Sequence, residues 1–556
     1  RVKYPVERLR YDNLALHHYA YMMNVIQEQE PTCFNDAIGK PEWDEAMDKE
    51  MNALDKLGTW ELVPLPQDKK AIGCKWVYKV KRNADGSISR YKARLVAKGY
   101  AQTYGIDFEE TFSPVARMVT VRAVVSIAAS KRWKMYQMDV PNAFLNGELE
   151  EEVYMEQPEG YVHPDFVDYV CKLRKALYGL KQSNRAWSNK FSKFLLSIGF
   201  EISEADHSLY VKKTGAGLVV IVVYVDDVII TGDSEDEIGK VKDLLKAEFD
   251  IKDLGELMYF LGIEVIRTSD GIWLMQRKYV LDMLEKFGMT GCKPIATPIE
   301  QNAKLRADFG EPLENPTLYR KIVGSLIYAT LTRPDMSHDV GVLSQFMQVP
   351  RKPHLDAARR VLRYAKGTLN FGLFYAYGAE VEVCGYTDAD WAGSSYDRRS
   401  TSGYVFSLGS AAVSWSSKKQ PTVALSSTEA EYRGAAMAAC EIAWLRKLIH
   451  SLGYDMEYPV TLFCDNMSSI QLANNPVFHA RTKHIEVHYH YIREKVLAQE
   501  VDLVYVGTHE QVADIFTKSL GAEKLHKFRD MLGVHDFGLS LRGSVERSSS
   551  TCDPPG

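Results

Sequence analysis

The stretch GLVVIVVYVDDVIITG, Gly217 to Gly232, decides how this chain is read. Two apolar, β-branched runs flank a Tyr-Val-Asp-Asp core, the pattern of two strands joined by a tight turn. Burying two adjacent carboxylates as bare charges is costly. Asp226 and Asp227 are therefore expected at the hairpin tip, neutralising a cation, and a divalent metal is the obvious one. Upstream, WKMYQMDVPNAFLNG (133–147) ends a second apolar strand at Asp139, 87 residues before Asp226. If the two strands are neighbours in one sheet, the three acids converge. Oxygen-only ligands suit Mg²⁺, with Mn²⁺ as the alternative. Two such ions activate a 3′-hydroxyl and stabilise a leaving pyrophosphate, which is nucleotidyl-transfer chemistry. The competing reading of an isolated Asp-Asp pair is a surface turn.

Working outward, the 556 residues predict about three to four domains. Hydrophobic residues at 46% and charged residues at 25% are ordinary globular usage, which excludes wholesale disorder and collagen-like repetition. The longest apolar run, LVVIVVYV (218–225), is far short of the roughly 18 to 20 residues of a membrane helix, so no membrane span or membrane partner is expected. The start RVKYPVERLRYDN lacks the apolar core of a secretory signal, and a first residue other than Met predicts a segment of a longer polypeptide. Cysteines 33, 74, 171, 292, 384, 440, 464 and 552 show no zinc or disulfide spacing, which predicts free thiols in a reducing compartment.

The formal net charge is −5, so the whole chain is no basic nucleic-acid binder. Its charge is local instead: residues 65–100 hold ten Lys/Arg against two Asp, and residues 201–256 hold fourteen Asp/Glu against six Lys. A basic surface in one part and concentrated carboxylates in another suit a metal-using protein that handles polyanions, the alternative being solvated faces. PEWDEAMDKEMNALDKLG (41–58) predicts a helix with Pro41 in its first turn and Gly58 at its end. KWVYKVK and RYKARLVAKGY, joined by NADGS, predict a hairpin. Strands and helices alternate from about 115 to 265, and 267–374 reads as mostly helical around a proline-marked linker. Strands return from Val381, and everything after about Leu520 reads as a disordered polar tail.

A second acid constellation lies in that last region. VEVCGYTDADWAG (381–393) is a strand carrying Asp388, with Asp390 on the same face. SSTEAEYRGAAMAACEIAWLRKLI (426–449) is a long helix opened by a Ser426/Glu429 capping box, with Glu431 in its first turns. VTLFCD ends in Asp465, and THEQVADIFTK opens a helix with a Thr508/Gln511 box that places Asp514 one turn in. Four acids converging on two metals would hydrolyse a phosphodiester with an activated water. Rival metal readings are zinc on His484, Glu486, His488 and His490, which no Cys partner or HExxH helix accompanies, and a sugar-nucleotide site on Asp388 and Asp390. KPHLDAARRVLRYAKGTL (352–369) is a basic amphipathic helix, read either as tracking duplex phosphates or as an ordinary packed helix with a solvated basic face.

Nine motifs in order carry a family resemblance: KWVYKVKRNADGSISRYKARLVAKGYAQTYGIDFEETFSPVA, QMDVPNAFLNG, ALYGLKQSNRAW, YVDD, GELMYFLGIEV, SLIYATLTRPD, GYTDADWAG, ALSSTEAEY and HEQVADIFTK. Over almost its whole length the chain resembles the reverse transcriptase and RNase H region of copia-type LTR retrotransposon Pol polyproteins. The resemblance implies an α+β and α/β multidomain fold: a lead-in over 1–66, fingers and palm over 67–265, thumb and connection over 266–378, an RNase H mixed five-stranded sheet over 379–521, and the tail over 522–556. It makes Asp139, Asp226 and Asp227 the polymerase metal carboxylates and Asp388, Glu431, Asp465 and Asp514 those of the nuclease, with Glu429 and Asp390 as nearby alternatives and two Mg²⁺ per site. It makes Phe144 the gate against a 2′-hydroxyl, sets Lys92 and Arg94 among the cations that grip the triphosphate, and puts Gly179 to Ser183 under the templating base and the dNTP. Tyr259 to Gly262 resembles the primer grip, and His509 resembles a mobile histidine that aids product release or proton transfer. Asn184 and Ser519 stand where the family often has Pro, and Pro141 where a polar or basic residue is usual.

The partners implied are an RNA template, a DNA primer, the RNA/DNA hybrid, dNTPs, and other Pol or Gag products. The implied location is a cytoplasmic virus-like particle with later nuclear entry. Two rival functions are a decayed copy that only binds nucleic acid and a nuclease whose polymerase is defective.

Overall fold

A computed structural model describes residues 30–538, apart from 83–86, 302, 304, 395, 457–458 and 476–489. The expected helix spans Pro41–Lys56, with Pro41 in its first turn and Trp43, Met47, Glu50 and Leu54 buried at helical spacing. That face lies on the antiparallel pair Cys74–Arg82 and Ile88–Ala97. Trp43 meets Tyr78 and Tyr91 edge-on at 5.3 and 4.9 Å, and the Leu95 N–H donates to Glu50. The first four residues of the NADGS turn of this hairpin, 83–86, lie outside the described residues. Trp60–Pro64 pairs with Tyr169–Lys175, which pairs in turn with Glu148–Met155. The expected break at residue 66 therefore cuts through one core, because the lead-in supplies a helix to the basic hairpin and a strand to the three-stranded sheet beside it.

A six-stranded antiparallel sheet follows, in the order Lys252–Glu256, Met135–Asp139, Asp227–Gly232, Gly217–Tyr224, Leu209–Thr214, Glu201–Ile202. Away from the site, its central strands are apolar at most positions because both faces are covered. Val219, Ile221, Val228 and Ile230 face Trp187, Phe191, Val241 and Leu245 of the helices Ser183–Ser197 and Glu235–Phe249. Val220, Val222 and Ile229 point the other way, into a core shared with the helix Met118–Lys131.

A second mixed layer joins distant segments. Tyr259–Phe260, Ile263–Arg267, Gly271–Met275, Phe371–Ala376 and Val534–Asp536 form one sheet, with the helices Arg277–Lys286, Pro316–Ala329, Ser337–Ser344 and Lys352–Gly367 inserted between its third and fourth strands. The expected boundary at 265/266 cuts through one of its strands. The expected disordered tail from 522 is likewise corrected: Ala522–Met531 is a helix, and Leu525, Phe528, Leu532 and Val534 are buried at helix-then-strand spacing. Their polar neighbours hide that periodicity. Only 539–556 of the tail lies outside the described residues.

The basic helix at 352–367 engages three of its cations within the chain, while Arg359 stays exposed beside Asp356. Arg360 pairs with Glu300 and Thr297, Arg363 donates to the Lys293 carbonyl, and Lys366 donates to those of Thr290 and Cys292. The proline-marked linker is what this face binds.

The last sheet has the order Ala411–Lys419, Thr401–Leu408, Val383–Asp390, Val460–Cys464, Val501–Tyr505, antiparallel on one side and parallel on the other, with the helix Ser427–Ser451 across it. It shares its core with the six-stranded unit. Arg122, buried in the helix 118–131, donates to Val413 O at 2.7 Å and Leu331 O at 2.8 Å and lies 3.8 Å over the Trp415 ring. Ser126 donates to Leu408 O, and Trp444 donates back to Ala205 O. The seven described cysteines are free. No helix among the described residues is long and apolar enough to cross a membrane.

Candidate active sites

The first site is a strand pairing made into a carboxylate cluster. Asp139 ends one strand, Asp227 begins its neighbour, and the two are cross-strand partners. Asp227 also pairs with Tyr224 across the Tyr-Val-Asp-Asp turn, so Asp226 stands at the hairpin tip, as expected from the sequence. To close this turn Val225 takes φ of 57°. The left-handed region costs a non-glycine residue roughly 1–2 kcal/mol, and a β-branched one is a rare occupant.

Three contacts hold the turn. The Trp187 indole N–H donates to the Val225 carbonyl at 2.7 Å, the Val140 N–H donates to the Asp226 carbonyl at 2.9 Å, and the Gln137 amide donates to Asp227 Oδ1 at 3.0 Å. Burial pushes the Asp227 carboxyl above the usual range; the Gln137 hydrogen bond opposes this, and the charges of Asp226 and Asp139 add to it. A half-buried acid raised by desolvation and by two neighbouring acids is a site that a cation would satisfy, and the all-oxygen donors fit Mg²⁺.

Around it, Phe144 sits on a 3-10 turn at 143–146 and meets Tyr178 edge-to-face at 4.9 Å. The Arg94 guanidinium caps the other partner of that pair, 4.4 Å from the Tyr178 ring centre. Lys92 lies on the same strand face as Arg94. Burial first, and then Arg94, lowers the Lys92 ammonium, which Glu50 partly offsets. Gly179 has φ of +94°, and a Cβ there would stand 2.2 Å from the Ala97 carbonyl, so the residue's first role is close backbone approach to the Arg94 strand. Gln137, Tyr178 and Trp187 carry no signal in the sequence although each lies inside or beside a quoted motif. No local pattern marks a side chain whose partner is 38 to 90 residues away.

The second site gathers the other acids. Asp388, Asp465 and Asp514 bring one carboxylate oxygen each within 4.8 Å of one another, which among the described residues is the one group of three such ligands. Glu431 adjoins them: burial first, then Asp388 and Asp465, raise its carboxyl, and its Oε2 is buried without a hydrogen-bond partner. Burial also pushes Asp388 up to about 7, against Lys518 and a hydrogen bond from Thr517. Two ammonium groups supply the positive charge: Lys518 lies 2.6 Å from Asp514 and 3.6 Å from Asp388, and Lys524 lies 2.5 Å from Asp514. Buried carboxylates this close, with an unpartnered oxygen among them, fit divalent cations.

Two local expectations change. Asp514 sits on a 3-10 helix, Val512–Phe516, capped by the Gln511 side chain alone; Thr508 donates instead to Asp465 Oδ2 at 3.3 Å. At the long helix, Ser426 accepts from the Glu429 N–H, but Glu429 reaches Leu425 N and Arg433, so it is a cap and not a member of the cluster. His509 is exposed on the loop before Asp514, where its carbonyl accepts from Lys527. Of the histidine-rich motif, His484, Glu486 and His488 lie outside the described residues, while His490 is buried beside the Tyr432 hydroxyl. Ser519 donates to Asp339 Oδ1 at 2.7 Å, tying this loop to the helix 337–344.

Residues 57–301 match the family model described as "Reverse transcriptase (RNA-dependent DNA polymerase)". Over 517 residues the chain is 46% identical to the "Retrovirus-related Pol polyprotein from transposon RE1" of Arabidopsis thaliana, covering 93% of this chain and 35% of that protein. It is 41% identical over 545 residues to the "Retrovirus-related Pol polyprotein from transposon TNT 1-94" of Nicotiana tabacum, covering 95% and 41%. It is 37% identical over 308 residues to the "Putative transposon Ty5-1 protein YCL074W" of Saccharomyces cerevisiae, covering 55% of this chain and 100% of that one. The chain thus spans about a third of the length of the first of these relatives.

Proposed function

The chain belongs to the reverse transcriptase family of copia-type retrotransposon Pol polyproteins, and from that membership we propose that it copies RNA and DNA templates into DNA and degrades the RNA of the resulting hybrid. The cross-strand pairing of Asp139 with Asp227 is the observation that carries the polymerase half. It fixes two acids from segments far apart in the chain on one edge, with Asp226 at the tip between them.

In this reading Asp139, Asp226 and Asp227 hold divalent cations, Mg²⁺ by donor type, which lower the cost of charge at the attacking oxygen and the leaving pyrophosphate. The primer 3′-oxygen forms a bond to the α-phosphorus of a dNTP, the bond to pyrophosphate breaks, and the hydroxyl proton passes to solvent. Phe144, braced by Tyr178, lies under the sugar and leaves no room for a 2′-hydroxyl, while Arg94 and Lys92 meet the triphosphate. The basic hairpin serves as fingers, the six-stranded sheet as palm, and residues 266–378 as thumb and connection.

The second site cleaves the RNA strand. Asp388, Glu431, Asp465 and Asp514 hold its cations, and water replaces the 3′-oxygen at phosphorus. An A-like hybrid is read through its backbone and 2′-hydroxyls. His509, exposed at the rim, assists release or proton transfer.

Primer extension on a labelled RNA template with dNTPs and Mg²⁺, run on the native chain, Asp226→Asn and Asp465→Asn, tests both halves. Loss of extension in the first variant alone and of RNA cleavage in the second alone supports two separable sites. A native chain that binds the hybrid in low salt yet neither extends nor cleaves it would make this a nucleic-acid-binding protein instead.

A further inference from the structure

We infer that Trp187 is a positioning residue for the polymerase reaction, holding the Tyr-Val-Asp-Asp turn in a conformation that this turn does not hold by itself. The inference rests on the polymerase reading above.

Two independent observations meet here. Val225 stands at φ of 57°, where a β-branched side chain is disfavoured, so in isolation the turn relaxes away from this geometry. Its carbonyl accepts the Trp187 indole N–H at 2.7 Å, a contact of side chain to backbone across 38 residues. Trp187 is itself fixed: it is almost fully buried, tilted against Phe191 at 5.1 Å and edge-on to Phe249 at 5.3 Å. A rigid donor on a packed helix thus dictates the direction of the peptide that precedes Asp226.

The neighbouring turn carbonyl, that of Asp226, is held by the Val140 N–H, and Val140 follows Asp139 directly. Together the two bonds lock the hairpin tip to the helix 183–197 on one side and to the strand carrying Asp139 on the other. Without the indole bond, the Val225 peptide is free to rotate and Asp226 loses its fixed distance to Asp139. A phenylalanine keeps an aromatic ring but carries no donor, so the N–H is separable from most of the packing.

The test compares the full native chain with Trp187→Phe, measuring primer extension for kcat, KM for dNTP and Mg²⁺ dependence, with hybrid cleavage and thermal melting on the same samples. Extension kcat is expected to fall about tenfold to a hundredfold, the effect of misplacing a catalytic group, with a raised Mg²⁺ requirement. KM for dNTP and cleavage stay close to native when assayed well below Tm, which itself falls because a buried ring is made smaller and a carbonyl loses its donor. Combining it with Val225→Asn, which introduces a side chain tolerant of positive φ, is expected to shrink the cost of Trp187→Phe. Three results overturn the proposal: native-like extension by Trp187→Phe, joint loss of extension and cleavage, or a cost of Trp187→Phe that is as large with Val225→Asn as without it. A native chain that cleaves but does not extend removes the polymerase reading itself, a distinct result.

Discussion

Asp139 and Asp227 stand directly opposite each other in antiparallel register, two like charges in the position where a sheet normally places compatible partners. Such like-charge pairs directly opposite each other are destabilising. Burial adds to this by raising the Asp227 carboxyl. The arrangement makes sense for a cluster shaped for a cation and not for stability.

Asp227→Asn is therefore expected to raise Tm slightly in EDTA while abolishing the benefit of Mg²⁺ at this site and most primer extension. Because the folded carboxyl titrates above its unfolded value, the native state holds the proton longer, so the gain grows as pH rises above about 4. Melting curves of both chains in EDTA at pH 5 and pH 8 check it; equal Tm values at both would count against this account.

Asp388 carries the same logic further. Its carboxyl is pushed up to about 7. In metal-free protein its contribution falls as pH rises from about 4, where the unfolded group ionises, to about 7. Mg²⁺ is expected to raise Tm more at pH 8 than at pH 5, and RNA cleavage is expected to decline below about pH 7 as the proton competes with the metal. Asp388→Asn should flatten the pH dependence of Tm in EDTA.

Arg122 tests whether the two catalytic units are independent. It is buried and holds the carbonyls of Val413 and Leu331 from a helix packed on the six-stranded sheet. Arg122→Met keeps the apolar stem but leaves both carbonyls unpaired, at a cost of about 1–3 kcal/mol for each buried group. Extension and cleavage are expected to be lost together at one lowered temperature. Inactivation of one activity well before the other would show that the shared core is not cooperative.

Gly179→Ala addresses the basic hairpin. The new Cβ would stand 2.2 Å from the Ala97 carbonyl at a φ of +94°. Strain of about 1–3 kcal/mol is expected to push the Arg94 strand away from Tyr178 and so from Phe144. KM for dNTP should rise and discrimination against rNTPs should weaken, with hybrid cleavage unchanged. A steady-state comparison of dNTP and rNTP incorporation reads this out.

Much of this is legible in one dimension. Apolar runs at 217–225 and 228–231 and the acids at their ends announce a hairpin with carboxylates at its tip, because strand periodicity and the cost of buried charge are both local properties. The helix at Pro41–Lys56 follows from its start signal and spacing. At the basic helix 352–367 the sequence records that the cations exist but not that the carbonyls of 290–293 take up Arg363 and Lys366. The tail from 522 misleads: its few apolar residues matter only because Val534–Asp536 finds an edge at Phe371–Ala376.

The sequence by itself determined which residues carry charge, which strands and helices they sit on, and hence that two acid clusters exist. Only the tertiary structure decided that Asp139 faces Asp227, that Lys518 and Lys524 lie against Asp514, that Trp187 holds Val225, and that Arg122 joins two sheets into one core. The reason is physical: periodicity and propensity act over a few residues, whereas a hydrogen bond or an ion pair depends on distance in space, which chain separation does not encode.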